Sequence, residues 1–390
     1  MSIKRIAVSA CALALAACAG QSPEAPAAAK RGNLLVSAND NKAILVNGVT
    51  TAVPNAAPDT VAIIDLSASP PRLVAEIEAP SSVVGPPSSV AVSPDESIAL
   101  VTAAMRIEGG KQVPNDKVSV IDLTVRPPRV INTITAGAGV AGISINRQGT
   151  LALAANRSEG TVSVFTLNGK NVSHLGKLRL GDDKSGPSHA VFTPDGATAL
   201  VSRDGDNRVS VLSIRGNIVE HTKRDLFPGQ RPYGIDVCMP GAIAVVANIG
   251  IGQGDADTIS VIDLQAQPPR VIETLTVGQT PEGIACSPNG RKVAVVAMSG
   301  SNKPKDSPFY RANGRVVMFN VEGKKLTPAG EADTGNWSQG AAFSADSRLL
   351  LVGNMVQKDL QVYELTATGI RDTGQRIALK GGAAGLRTAD

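Results

Sequence analysis

One pattern recurs seven times along this chain: a run of six residues, rich in β-branched and apolar side chains, whose fifth position is usually polar. The copies begin at Val61 (VAIIDL), Val118 (VSVIDL), Val162 (VSVFTL), Val209 (VSVLSI), Ile259 (ISVIDL), Val316 (VVMFNV) and Leu360 (LQVYEL). A second marker is a small residue at the start of another short apolar run. It stands at Ser89, Gly142, Gly234, Gly283, Gly340 and Gly385, with His189 in the corresponding place of the remaining copy, at spacings of 45 to 57 residues. A unit of that length buries too little surface to fold alone, so successive copies must stack on one another.

The fullest copy, from Thr258 to Gly300, shows what the unit is. Val261 to Leu264 reads as a strand ending at Asp263, a residue suited to the position before a turn. Pro268-Pro269 cannot sit in a central strand, so Arg270 to Val277 begins a new one. Gly283 to Cys286 is short and small-residued, Pro288-Asn289-Gly290 reads as a turn, and Lys292 to Met298 is a near-continuous apolar strand. Four strands in some forty residues describe one propeller blade. The expected fold is therefore all-β: a seven-bladed β-propeller of four-stranded antiparallel blades. The first ordered segment, Asn33 to Ala38, is already the second strand of its unit. The missing inner strand lies at the far end, where Gly382 to Arg387 matches Gly139 to Ser144. The ring is predicted to close by pairing residues 384–388 with residues 33–38, which would hide two sheet edges.

Aromatic residues make up only 3% of the chain, so Val, Ile, Leu and Ala must fill the core, which suits stacked sheets better than a large apolar cavity. The formal charge is +4, of which Lys4 and Arg5 supply two, and so small a balance gives no general attraction to nucleic acid. Lys4-Arg5 precedes a short apolar run that ends in Leu15-Ala16-Ala17-Cys18. This resembles the lipobox of bacterial lipoproteins, which implies a leader at 1–17, lipidation of Cys18, a tether through residue 32 and a propeller over 33–390. Ala19 in place of Asp points, by analogy with sorting in enteric bacteria, to the outer membrane facing the periplasm. A lipid anchor in the cell envelope is the expected location.

Only Cys238 and Cys286 remain in the folded part. Cys286 is three residues after its marker glycine and Cys238 four, so their side chains point to opposite faces of equivalent strands. No disulfide is expected between them.

The repeated V-x-V-I-D-L, P-x-G-I and S-P-D/N-G elements resemble the YVTN-type seven-bladed β-propellers, relatives of the propellers in methylamine dehydrogenase heavy chains, nitrite reductases and lactonases. The resemblance spans about residues 33–390 and implies fold rather than function, since propellers host unrelated activities.

In such a ring, the loops leading into inner strands and those leaving second strands gather on one face. The long insertions, 39–59, 105–116, 249–257 and 299–313, all fall there, as connections between second and third strands. Inner-strand entries bring Ser188 to this face and second-strand exits bring Asp204, and the ligand-binding residues expected there are Arg106, Arg157, Arg203, Arg231, Tyr233, Glu282, Tyr310, Arg311, Trp337 and Gln339. A basic rim with aromatic platforms suits a small anion, a planar ligand or an envelope protein. Of the three histidines, His174 and His221 fall in outer-strand regions and are expected to be exposed, whereas the His189 ring points toward the channel mouth. No C-x-x-C-H, G-x-S-x-G or phosphate-loop context occurs, and three dispersed histidines with two buried cysteines imply no metal and no cofactor. Asp65, Asp122 and Asp263 recur at equivalent strand ends and read as turn caps. Two functions follow. The first is a monomeric, lipid-anchored propeller whose loop-rich face binds a partner or small ligand without catalysis. The second is a lactonase-like hydrolase or lyase using His189, Glu282, Arg203 and Arg231.

Overall fold

The computed structural model describes residues 33–366 and 369–389. The expected leader, the lipidation site at Cys18 and the tether lie outside them. Seven four-stranded antiparallel sheets form the blades of a propeller. The innermost strands of blades 1 to 7 are Gly382–Thr388, Val90–Val92, Val140–Ile145, Pro187–Phe192, Pro232–Cys238, Pro281–Cys286 and Ser338–Phe343, each beside the next around a central channel. Blade 1 is assembled from both ends of the chain. Gly382–Thr388 pairs with Leu34–Asp40 in the register Leu35 to Thr388, Val36 to Arg387 and Ala38 to Gly385, which is the expected closure.

The near-continuous apolar second strands follow from stacking. Each blade is covered on both faces, so alternate residues serve different neighbours. In blade 5, Val245 packs toward Ile284, Val293 and Val295 of blade 6, while Val246 packs toward Val191, Leu200 and Val209 of blade 4. Each of the seven blade contacts carries one such apolar cluster. The small marker residues reflect crowding around the channel. A Cβ on Gly142 would lie 2.5 Å from the Ser188 carbonyl oxygen and 2.7 Å from His189 Cα. The Asp-ending strands are capped as expected: Asp122 accepts the Thr124 N–H at 2.9 Å and Asp263 accepts the Gln265 N–H at 3.0 Å. Lys170 and Lys324, each from the following blade, reach the same carboxylates at 2.7 and 2.8 Å. Burial alone would raise Asp122, but the hydrogen bonds from Lys170 and Thr124 hold it at about 2.

Three local expectations are corrected. Cys238 and Cys286 are joined by a disulfide, with their Cα atoms 5.1 Å apart. Their side chains do point to opposite faces of equivalent strands, but stacked blades confront each other with opposite faces, so this parity favours the bond. His221 is enclosed, its Nε2 lying 2.7 Å from Asp225 Oδ1. The insertion at 39–59 joins the second and third strands of blade 1 as expected and carries a hairpin of its own, whereas that at 105–116 is no loop but the paired ends of those strands in blade 2. Ala43–Val46 pairs with Val49–Ala52 through Asn47-Gly48, both at positive φ, and the strands Ile98–Glu108 and Lys111–Asp122 of blade 2 extend through Gly109-Gly110. The first hairpin brings Gly48 against Pro304 and Lys303 of the long blade 6 loop, and Gly254 of the blade 5 loop lies against the Phe309 ring. These insertions thus meet one another over the upper mouth, the end at which inner strands begin.

Candidate active site at the upper channel mouth

The inner strands share a device that turns side chains toward the channel. Pairing with the second strand slips between Val140 and Ile143, Pro187 and Ala190, Pro232 and Ile235, Pro281 and Gly283, and Ser338 and Ala341. A bulge of this kind frees one or two residues from the ladder and re-aims them. The freed residues include Ser188, His189, Tyr233, Glu282 and Gln339. In the P-x-G-I element the variable residue is therefore the one presented to the mouth.

Asp204, just past the second strand of blade 4, organises two cations there. Its Oδ1 lies 3.0 Å from Arg157 Nη1 and its Oδ2 lies 3.1 Å from Arg231 Nη2. Ser188 donates to Asp204 Oδ1 at 2.9 Å and itself accepts from Arg157. The Arg157 guanidinium sits 5.2 Å from the Tyr233 ring centroid, a cation–π contact that fixes its plane. The Arg157 side chain is 19% exposed and that of Arg231 42%, so Arg231 is the cation an arriving ligand meets. Arg231 holds φ at 55°, a left-handed conformation that costs a non-glycine residue about 1–3 kcal/mol.

Glu282 faces this cluster from blade 6. Burial pushes its carboxyl up to about 8, against the pull of Arg157 and Arg231 and of the Gln339 amide, with Asp204 adding to the rise. Gln339 has one amide orientation that satisfies both of its neighbours: Nε2 donates to Glu282 Oε2 at 3.2 Å and Oε1 accepts from Trp337 Nε1 at 3.2 Å. Burial also raises the Tyr233 hydroxyl, keeping it protonated as a donor. Below Glu282 the channel narrows to a space of about 10 Å³ lined by Ser88, His189, Glu282 and Arg387. The Ile235 N–H points at His189 Nδ1 across 3.5 Å, and burial together with the Arg387 charge lowers this imidazole to about 3. His189 is thus neutral near pH 7, with its Nε2 carrying the proton.

The remaining expected residues are dispersed. Arg203, one position before Asp204, alternates to the other side of its strand and is held by Ser210 at 3.1 Å, Asp225 at 3.2 Å and Asp206 within blade 4. Arg106 pairs with Glu108 at 2.7 Å on the extended blade 2 hairpin. Arg311 is exposed on the long loop and donates to the Tyr310 carbonyl at 3.0 Å. Trp337 is buried beneath the covering hairpin with Ala43, Val83, Met298 and Met355, so it closes the mouth and presents no open platform. Asp204 and Ser188 do the organising, and both stand at positions the sequence assigns to this face. Their signal was position: Ser188 stands in the x place of its blade's inner-strand element, and Asp204 follows the second strand as Arg157 does. Among the described residues, no three His, Cys, Asp or Glu side chains gather as a metal site requires.

No protein-family model matches the chain, and no curated protein sequence does. Solved structures match its fold. A candidate 6-phosphogluconolactonase from Bacteroides uniformis superimposes with a TM-score of 0.69 at 18% identity, covering 91% of this chain and 99% of the other. The periplasmic gluconolactonase of Pseudomonas aeruginosa gives 0.65 at 16%, covering 92% and 99%. Hydrazine synthase of Kuenenia stuttgartiensis gives 0.61 at 17%, covering 79% and 90%. At these identities the likeness establishes a shared propeller and nothing of the chemistry.

Proposed function

We propose that the upper channel mouth is an acid–base site that hydrolyses a small lactone bearing polar or anionic substituents. The observation that carries this reading is a carboxyl held at about 8, Glu282, beside two guanidinium groups fixed by one aspartate. A group poised near neutrality can take and return a proton within one turnover. In its ionised form Glu282 accepts a proton from water as the oxygen attacks the lactone carbonyl. Arg231, the more open cation, stabilises the oxyanion as it forms. Collapse breaks the ring C–O bond, and Glu282 returns the proton to the leaving alkoxide, giving the hydroxy acid. Asp204 keeps both arginines in place, and the covering hairpin with Trp337 keeps bulk water out. Two of the propellers similar in fold carry gluconolactonase descriptions, which agrees with this reading.

The test is a panel of five- and six-membered sugar lactones. Turnover is expected, rising with pH through about 8, where the base ionises, and falling at least about a hundredfold in Glu282→Gln. Turnover no faster than the spontaneous reaction, or unchanged in Glu282→Gln, removes the reading. A second reading, anion or partner binding without catalysis, is favoured by the insertions that cover the channel and leave Arg231 at the edge. It predicts saturable binding of a sugar carboxylate, lost in Arg231→Met, with no turnover.

The leader motif supports placing this activity in the cell envelope. Incorporation of labelled palmitate in a bacterial host, abolished by Cys18→Ser, is the expected outcome, and an unlabelled wild-type chain overturns it.

A further inference from the structure

A cavity lies at the opposite end of the channel from the site described above. Its walls are the lower ends of the inner strands together with the turns that follow them, and its volume is about 240 Å³. Phe192, Phe343, Met239 and Pro194 give it an apolar lining, in a chain that has few aromatic residues. An ion pair closes its inner end. Arg387 on blade 1 reaches across the channel to Asp236 on blade 5 at 2.9 Å, and Asp236 Oδ2 also accepts the Cys286 N–H at 2.8 Å beside the disulfide. Arg387 lines both this vestibule and the constriction below Glu282, so the pair separates the two. The charged side chains among the described lining residues are Arg147, Arg387 and Asp236, a net positive set. Arg147 stands at the rim, on the turn after the blade 3 inner strand, with no hydrogen bond or ion pair to any described residue.

We propose that this lower vestibule binds a small organic carboxylate, its apolar body against Phe192, Phe343 and Met239 and its anionic group toward Arg147. A blind apolar pocket with a few convergent polar groups is the usual form of a small-molecule site. A net positive lining selects an anion over the neutral isostere, because the cation at the rim is left without a partner by an uncharged ligand. The inference is independent of the chemistry at the upper mouth.

Calorimetric titration of the mature chain with 4-phenylbutyrate and with its amide tests it. Saturable one-to-one binding of the carboxylate is expected, with the amide weaker by about tenfold or more and Arg147→Met weakening the carboxylate by a similar factor. Ala345→Trp, which places a large side chain at the exposed rim, is expected to block binding, while Glu282→Gln leaves it unchanged. Absence of saturable binding into the millimolar range overturns the proposal. So does binding that is indifferent both to Arg147→Met and to Ala345→Trp, or equal affinity for acid and amide.

Discussion

Glu282 and His189 make the stability of the ring depend on pH in opposite senses. The Glu282 carboxyl is raised by burial from 4.5 to about 8, so between those values the folded chain keeps a proton that the unfolded chain has released. Its contribution is therefore fully present below about 4.5 and is lost as pH rises toward 8. The His189 imidazole is lowered by burial from 6.5 to about 3, so the unfolded chain binds a proton that the folded one refuses. That contribution is present above about 6.5 and is lost as pH falls toward 3. Each unit of displacement corresponds to about 1.4 kcal/mol, so either group alone can shift the balance by a few kcal/mol. Denaturant titrations across pH should show Glu282→Gln more stable than wild type, by a margin that grows from about pH 4.5 to about pH 8 and then levels off. A margin constant with pH would mean that the carboxyl is not desolvated. At this scale the sequence was half legible. Glu282 and Tyr233 could be found because each replaces the variable residue in P-x-G-I. Arg203 misled because its neighbour Asp204 faces the mouth instead, and a one-residue difference in facing cannot be read from a loop boundary.

The disulfide and the hairpins carry the same lesson for whole elements. Cys238 and Cys286 sit at the lower ends of neighbouring inner strands, and the parity argument located their faces correctly. It failed because each strand was referred to its own sheet, whereas in a stacked ring the face of one blade turned toward the next meets the opposite face of its neighbour. The hairpin over the mouth was also signalled, since Asn47-Gly48 between apolar runs is a two-residue turn with both φ positive. Its destination, against Pro304, depends on a loop some 250 residues away and has no local signal. The disulfide closes a loop of 48 residues, for which the chain-entropy account gives about 4 kcal/mol. Thermal melts of Cys238→Ala with Cys286→Ala, or of wild type under strong reductant, should show that order of loss. Equal stability of oxidised and reduced chains would show that blade packing alone holds these strands together.

The closure of the ring was the most legible feature of the molecule, because a repeat that starts one strand late must borrow that strand from its other end. The borrowed strand does more than complete a hydrogen-bond ladder. Ala383 and Leu386 belong to the apolar cluster between blades 7 and 1, with Leu35, Ile64, Leu351 and Val362, and Ala389 packs into the next cluster toward blade 2. Removing residues 381–390 would therefore open the ladder edge of Leu34–Asp40 and uncover two blade contacts at once, leaving the ring with a gap that its neighbours cannot close without tilting. Loss of side-chain burial alone is a different matter, and Leu386→Ala measures it: about 2–5 kcal/mol with the strand still paired. If closure is what holds the ring, the truncated chain should lose its cooperative melt and aggregate, while Leu386→Ala melts cooperatively at a lower temperature. If the truncated chain melts as sharply as Leu386→Ala, the remaining six blades sustain the fold through their stacking clusters, and the terminal pairing is only one contact among seven.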